Sequence, residues 1–320
     1  MLFVRFLATA LLALHPFVAL SQVWPTRPVT IVSPYPPGGT NDVVARMLAE
    51  RLGAAFNVAF IVENRPGAAG IVGSTTVSKA PADGQMLLTA NIGSHVIQPL
   101  VTAAARYQTL VDFTPIARLA DGPVFVGVNA DLPAKSMADL IALAKRDPGR
   151  LNFGSAGSGS FGNFCGEYLK LISGIDVVHV PYKGSAAALT DLIAGRVQFM
   201  IDPLVTSQVK GGKVRVIGVT GMNRYPGYPD VPTMRESGLA EFDLSGWFGV
   251  FGPPGLPNEI VAKIATTAAE AFKSPAVYER FVTAGILPAV SSPAEFVAII
   301  RRDQERFADI KRRANIQVVE

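Results

Sequence analysis

Val29-Thr30-Ile31-Val32-Ser33-Pro34-Tyr35-Pro36-Pro37-Gly38-Gly39-Thr40-Asn41-Asp42-Val43-Val44-Ala45-Arg46 changes character twice within eighteen residues. Val29 to Ser33 is β-branched apart from its serine and suits a buried strand. The next four residues carry three prolines, which cannot donate to a sheet ladder, so the strand ends there. Gly38 and Gly39 are then free to take positive φ and to let a ligand approach the backbone. Thr40 or Asn41 is placed to cap a helix and Asp42 suits its positive first turn. Val43, Val44, Met47, Leu48 and Leu52 supply an apolar face at helical spacing. The stretch reads as strand, glycine loop and helix start. Unpaired N–H groups at such a start, with the aligned peptide dipoles behind them, form an anion site. An ordinary βα turn that needs glycine only for geometry has the same sequence.

The rest of the chain bounds the possibilities. With 320 residues, 49% of them apolar, it can build two medium domains with real cores. The net charge of +4 is small and the basic residues are scattered, which argues against a nucleic-acid surface. Met1 to Leu20 has one basic residue, Arg5, an apolar run and then Ala19-Leu20-Ser21, small residues where a signal peptidase reads. This predicts a cleaved signal over residues 1–21, a mature start at Gln22 and a periplasmic protein. A single cysteine, Cys165, excludes an internal disulfide. His95 and His179 are the histidines beyond the leader, and no metal-ligand spacing is present.

In order, strands and helices alternate as in a parallel sheet. Val58–Glu63 and Met86–Ala90 are strands around a helix at Ile71–Lys79, and the tip Asn91–His95 should share a rim with Tyr35–Thr40. There Ser94 and His95 either line a site or form a capped turn with a solvent-facing histidine. Phe113–Ala120 and Val124–Asn129 are strands separated by Asp121-Gly122-Pro123, a turn that marks a crossover. The pattern then restarts, with Gly154–Ser160 as a second glycine loop feeding a helix from about Phe161 to Ile172. Strands end at Pro181-Tyr182-Lys183-Gly184 and at Asp202-Pro203, and another covers Val214–Thr220. After a proline-rich passage, Leu244–Phe251 is a strand, and three amphipathic helices follow, each opened by proline. The first unit is their natural host.

Gly157-Ser158-Gly159-Ser160-Phe161-Gly162 fits the dinucleotide pattern, but the next strand ends in Pro181-Tyr182 where the ribose-binding acid belongs. No serine in this loop has glycine two before and two after, so the hydrolase elbow is absent, and a triad would have only His95 or His179 to recruit. A second anion-binding helix start, with Ser155, Ser158 and Ser160 as added donors, fits better. A flexible small-residue turn is the plain alternative.

These residues resemble the periplasmic solute-binding receptors of tripartite tricarboxylate transporters, the Bug receptors. The resemblance runs from about Trp24 to the C-terminus. It rests on Pro37-Gly38-Gly39 with Asp42 and Ala45-Arg46, Glu63-Asn64-Arg65-Pro66-Gly67-Ala68, Pro81-Ala82-Asp83-Gly84, Asp112-Phe113-Thr114-Pro115, Val180-Pro181-Tyr182-Lys183-Gly184, Asp230-Val231-Pro232-Thr233 and Trp247-Phe248-Gly249. It implies a two-lobed α/β fold of the type II-like periplasmic-binding-protein kind, each lobe a parallel-rich sheet flanked by helices, joined by two crossing strands. Lobe 1 would be residues 22–125 with 246–320, and lobe 2 residues 126–245. The lobes would close on a small carboxylate held by backbone amides, hydroxyls and waters from loops matching Tyr35–Asn41 and Ser155–Ser160.

On that resemblance Gly38, Gly39 and Thr40 take one end of the carboxylate, and Ser155, Gly157 and Ser160 face them. Tyr35 covers the apolar part, and Ser94, Tyr182, Lys183 and Asp202 complete the set. Arg46, Glu63 and Arg65 are assigned to structure. The segment Ala104–Thr109 and Asn163 depart from the family pattern, and neither is expected to touch the glycine loops. The implied partners are the carboxylate and the membrane permease subunits, for a monomeric receptor without cofactor, metal or catalytic residue. A secreted enzyme acting on a carboxylate and a ligand-sensing subunit of a signalling system are the alternatives; the lack of a paired base and nucleophile disfavours the first.

Overall fold

The computed structural model describes residues 24–317. The expected leader lies outside the described residues. The chain runs β1 (Val29–Ser33), α1 (Thr40–Phe56), β2 (Phe60–Asn64), α2 (Ile71–Ser78), β3 (Met86–Asn91), α3 (Gln98–Val101) and β4 (Thr114–Gly122). It continues through β5 (Phe125–Asn129), α4 (Met137–Arg146), β6 (Asn152–Ser155), α5 (Phe161–Ser173), β7 (Val178–Pro181), α6 (Ser185–Ile193), β8 (Phe199–Ile201) and β9 (Val214–Val219). It ends with β10 (Gly246–Gly252), α7 (Asn258–Ala271), α8 (Pro275–Thr283), β11 (Leu287–Pro288) and α9 (Pro293–Arg313).

Two sheets result, in the orders β11-β4-β10-β3-β1-β2 and β7-β6-β8-β5-β9. The expectation of parallel-rich sheets needs adjusting, because both are mixed. β1 runs parallel to β2 and β3, and β6 runs parallel to β7 and β8. β10 lies antiparallel between β3 and β4, and β5 lies antiparallel between β8 and β9. The cause is the pair of passages between the sheets. The chain leaves the first sheet from β4 into β5 and returns from β9 into β10, so each sheet holds an outgoing and a returning strand side by side. Gly122 and Gly246 pair where these strands meet, and a Cβ on Gly246 would stand 2.8 Å from the Gly122 carbonyl oxygen. Only glycine lets the two backbones approach so closely.

The amphipathic face expected of α1 packs as its spacing requires, with Val44, Met47, Leu48 and Leu52 fully buried. They join Val29 and Ile31 of β1 and Ile260 and Ile264 of α7 in one core. The C-terminal helices do not all keep to the first sheet. α9 packs against β4 and also against α5 of the second unit, where Phe307 meets Phe161 and Phe164 at ring-centroid distances of 6.0 and 5.2 Å. Burying one such phenylalanine stabilises the contact by about 1.5–3 kcal/mol. A Ser292–Glu295 capping box fixes where α9 begins.

Candidate functional site

Local geometry at the first glycine loop separates its two glycines. Gly38 has φ +82°, a conformation that favours glycine, whereas Gly39 has φ −77° and ψ 166°, extended values open to other residues. Gly39, and not Thr40 or Asn41, occupies the cap position of α1, and no side chain caps it. Asn41 is turned inward, its Nδ2 donating to Ser33 Oγ at 3.0 Å and to Thr89. Gly38 N–H is unavailable to a ligand because it donates to Asp42 Oδ2 at 2.9 Å. Asp42 also accepts from Arg46 Nε and Asn64 Nδ2, each at 2.8 Å. Burial alone would raise its pKa, but these three donors together hold it below the usual carboxylate value. Val43 N–H to Gly39 O is the first rung of α1, so the N–H groups of Thr40, Asn41 and Asp42 lack intrahelical acceptors and the positive end of the dipole is uncapped.

This end lines a cleft of about 240 Å3 between the sheets. Tyr35, Thr40 and Asn91 contribute from the first unit, Phe161 and Pro203 from the second, and Trp247 and Phe248 from β10. Thr40 begins α1 and Phe161 begins α5, so two helix N-termini border one space. Asn91 stands at the carboxyl end of β3, where ligands collect in sheets of this kind. Its Oδ1 accepts from Tyr35 O–H at 2.9 Å and from Ser94 N–H at 3.1 Å. Two donors on that oxygen fix the amide orientation and leave Nδ2 without a partner among the described residues. Burial raises the Tyr35 pKa, which keeps the phenol a donor. Sequence reasoning stopped at Ser94; the signal it missed was that an asparagine closing a strand has a donor to offer outward. Ser94 itself is fully buried, its hydroxyl bonded to Asn91 O.

At the second loop Ser155 donates to the Gly157 carbonyl and Ser160 serves as an acceptor. Ser160 caps α5 by accepting from Asn163 N–H at 3.2 Å. Ser155 is buried; its Oγ lies 3.0 Å from Gly157 O, 3.2 Å from Gly157 N and 2.7 Å from His179 Nε2. Asn163 touches the loop after all, contrary to expectation, since its Oδ1 accepts from Gly159 N–H at 3.0 Å. That backbone donor orients the amide, so Asn163 Nδ2 donates to His179 Nδ1 at 3.2 Å. A neutral imidazole that accepts at Nδ1 carries its hydrogen on Nε2, and His179 therefore donates to Ser155. Burial first, and the Lys170 charge second, bring His179 down to about 4. Gly157 has φ +130° and stands behind the loop against Tyr182 O. None of Ser155, Gly157 and Ser160 lines the cleft; they shape the turn that delivers Phe161 to it.

Three remaining candidates sit elsewhere. Tyr182 O–H donates to Asp191 at 2.7 Å, and Lys183 is exposed. Asp202 caps a short 3-10 turn, accepting from Leu204 N–H at 2.8 Å and Ser185 Oγ at 2.7 Å. His95 neither faces solvent nor lines the cleft. It is fully buried, 4.5 Å from the Phe251 ring and 4.7 Å from Phe113, and burial lowers its pKa to about 3. The helical turn after β3 drives it inward. Among the described residues no group of three or more His, Cys, Asp or Glu side chains is placed to hold a metal.

Residues 44–316 match the sequence profile of the tripartite tricarboxylate transporter family receptor. The chain belongs to this receptor family. BugT of Bordetella pertussis is 33% identical over 310 residues, covering 96% of this chain and 94% of BugT. An R. palustris protein solved with adipate superposes with a TM-score of 0.80 at 34% identity, covering 92% of this receptor and all of that chain. MatC from Rhodopseudomonas palustris, with bound malate, gives 0.73 at 30% identity, covering 90% and 99%. The two-sheet α/β periplasmic-binding-protein fold expected from the sequence is the fold of these relatives. The family is one of solute-binding proteins for transport and not of enzymes, in keeping with a Ser155–His179 contact whose hydrogen points the wrong way for catalysis.

Proposed function

We propose that the receptor works in the periplasm after loss of residues 1–21, capturing a small organic carboxylate in the cleft and presenting it, as a monomer, to the membrane permease subunits of a tripartite tricarboxylate transporter. The two lobes are residues 24–125 with 246–317, and 126–245. They close about the paired passages that meet at Gly122 and Gly246, and the ligand-bound, closed form is the one the permease meets. The relatives that bind adipate and malate support the ligand class.

One observation carries the reading: the uncapped start of α1 and the unpartnered Nδ2 of Asn91 both reach one cleft between the sheets. Thr40 N–H, the Thr40 hydroxyl and Asn91 Nδ2 are the donors, with Gly39 beside them and Tyr35 over the apolar part. Three charge-assisted bonds at about 1.5–3 kcal/mol each, with burial of the ligand's apolar body, suffice for a micromolar complex of about 8 kcal/mol after ordering costs. Thermal melting of the mature protein against a panel of mono-, di- and tricarboxylates is the test, followed by mass spectrometry of the released ligand. A carboxylate should raise the melting temperature by mass action and be recovered unchanged. Steady turnover of a bound carboxylate would contradict the receptor reading.

A further inference from the structure

The last helix stands behind the cleft on both sides of the molecule. Phe296, Ile300, Asp303, Phe307 and Ile310 are the buried residues of α9, spaced as one face of a helix requires. Asp303 is the exception among them, an acid only 5% exposed within an apolar stripe. A carboxylate buried there is unfavourable unless it is hydrogen-bonded, and its two oxygens have different partners. Oδ1 accepts from Arg302 Nε at 3.1 Å and Nη2 at 3.0 Å, and this arginine side chain is itself 61% exposed. Oδ2 accepts from Trp247 Nε1 at 3.0 Å.

Trp247 lines the cleft from β10. Its ring meets Phe296 of α9 edge-on, with centroids 5.1 Å apart and planes at 88°. Packing places the ring, and the hydrogen bond decides which edge of the indole turns away from the cleft, because a buried N–H without an acceptor is unfavourable. Without an acceptor on α9 that N–H has to find water, and the cleft is where Trp247 meets solvent. Turning the indole that way reshapes the wall. One turn beyond Asp303, Phe307 lies 6.0 Å from the Phe161 ring, and Phe161 lines the cleft from the second unit. Two side chains four residues apart on one helix outside the cleft thus back lining residues from both units.

Resting on the receptor reading for what enters the cleft, we propose that Asp303 is a positioning residue of the binding site, its Oδ2 locking the Trp247 indole in the orientation it presents to the ligand.

The test compares Asp303→Asn, which keeps an oxygen for the indole N–H, with Asp303→Leu, which removes it. Both are made in the mature protein carrying Trp24→Phe, which keeps a ring against Phe56 and Phe60 and leaves Trp247 as the single tryptophan. Acrylamide quenching of the ligand-free protein reads the indole, and calorimetric titration with adipate and malate reads the site. Asp303→Asn should quench as the parent does and bind within threefold of it. Asp303→Leu should quench at least threefold faster and bind at least tenfold more weakly. In the Trp247→Phe protein, which has no N–H to hold, Asp303→Leu should change affinity by less than twofold. Should Asp303→Leu not fold, Asp303→Ala removes the acceptor without adding bulk and is read by the same criteria. Unchanged quenching, affinity within twofold of the parent, or an equal loss of affinity with and without Trp247 overturns the proposal. A folded parent that binds neither ligand contradicts the receptor reading for this ligand class, and the quenching comparison then decides by itself whether Asp303 holds the indole.

Discussion

His179 Nε2 stands 2.7 Å from Ser155 Oγ and gives the hydrogen to it. The direction is imposed from the far side, where Gly159 N–H orients the Asn163 amide and the amide donates to His179 Nδ1. A hydrolase needs the opposite polarity, with imidazole accepting from serine. The same three side chains that resemble a triad on paper thus brace a loop, and the brace depends on a neutral imidazole.

A pH dependence follows from that neutrality. The folded-state pKa of about 4 lies below the ordinary histidine value of 6.5, so the unfolded chain takes up the proton first as pH falls. The stability is fully present above about pH 6.5 and is lost as pH falls through 4, by on the order of 3 kcal/mol. Urea unfolding of the wild type and His179→Gln at pH 7, 5.5 and 4 should give free-energy curves that converge toward pH 4. Parallel curves would show that His179 is not held neutral by the fold.

Asn91→Asp isolates the donor of the cleft. The variant keeps an oxygen for Tyr35 O–H and Ser94 N–H and replaces the outward N–H with a charged acceptor facing the ligand's carboxylate. Binding should weaken by about 2–3 kcal/mol or more, with the melting temperature of the free protein little changed. Titration at neutral pH reads the first and a thermal melt the second. Wild-type affinity in this variant would remove Asn91 from the site.

Cys165 offers a check on the second core. It is fully buried on α5, and burial, reinforced by the charge of Asp202, raises its pKa far above the ordinary thiol value. A thiol-reactive aromatic disulfide should leave the native protein unlabelled and label one thiol per chain in denaturant. Rapid labelling of the native protein would contradict the packing of α5 against the sheet.

The strands and helices were legible because their signals are local. Prolines and glycines punctuate Pro34–Gly39, and α1 buries the residues its spacing named, apart from half-buried Val43. The mixed pairing was not legible, since the place of β10 between β3 and β4 depends on residues more than a hundred positions away. Neither was the dual packing of α9, which shows on a sequence only as one more apolar stripe. At the site, Tyr35 and Thr40 reach the cleft as expected and Gly39 lines the adjoining recess. Gly38 and Ser155 do not offer free donors, because Asp42 and the Gly157 carbonyl accept from them, and Ser160 stands outside the cleft, accepting from Asn163 N–H; these are contacts that only the folded chain makes. Asn91 was expected on the rim with the tip Asn91–His95 but was not singled out as a donor, because a residue closing a strand carries no motif.

The most direct measurement is a titration of wild type, Thr40→Pro and Lys183→Ala with the same carboxylate. Proline is favoured at the first position of a helix, and Gly39, at φ −77° and ψ 166°, already has the extended backbone that a residue before proline requires. Thr40→Pro therefore removes an N–H and a hydroxyl from the cleft while the helix persists. It should lose about 3 kcal/mol, on the order of a hundredfold in affinity, with an unchanged melting temperature. Lys183→Ala, at an exposed position screened by salt, should bind within about twofold of wild type. If Lys183→Ala abolishes binding and Thr40→Pro binds as the wild type does, an ion pair and not the helix terminus holds the ligand, and the account is wrong.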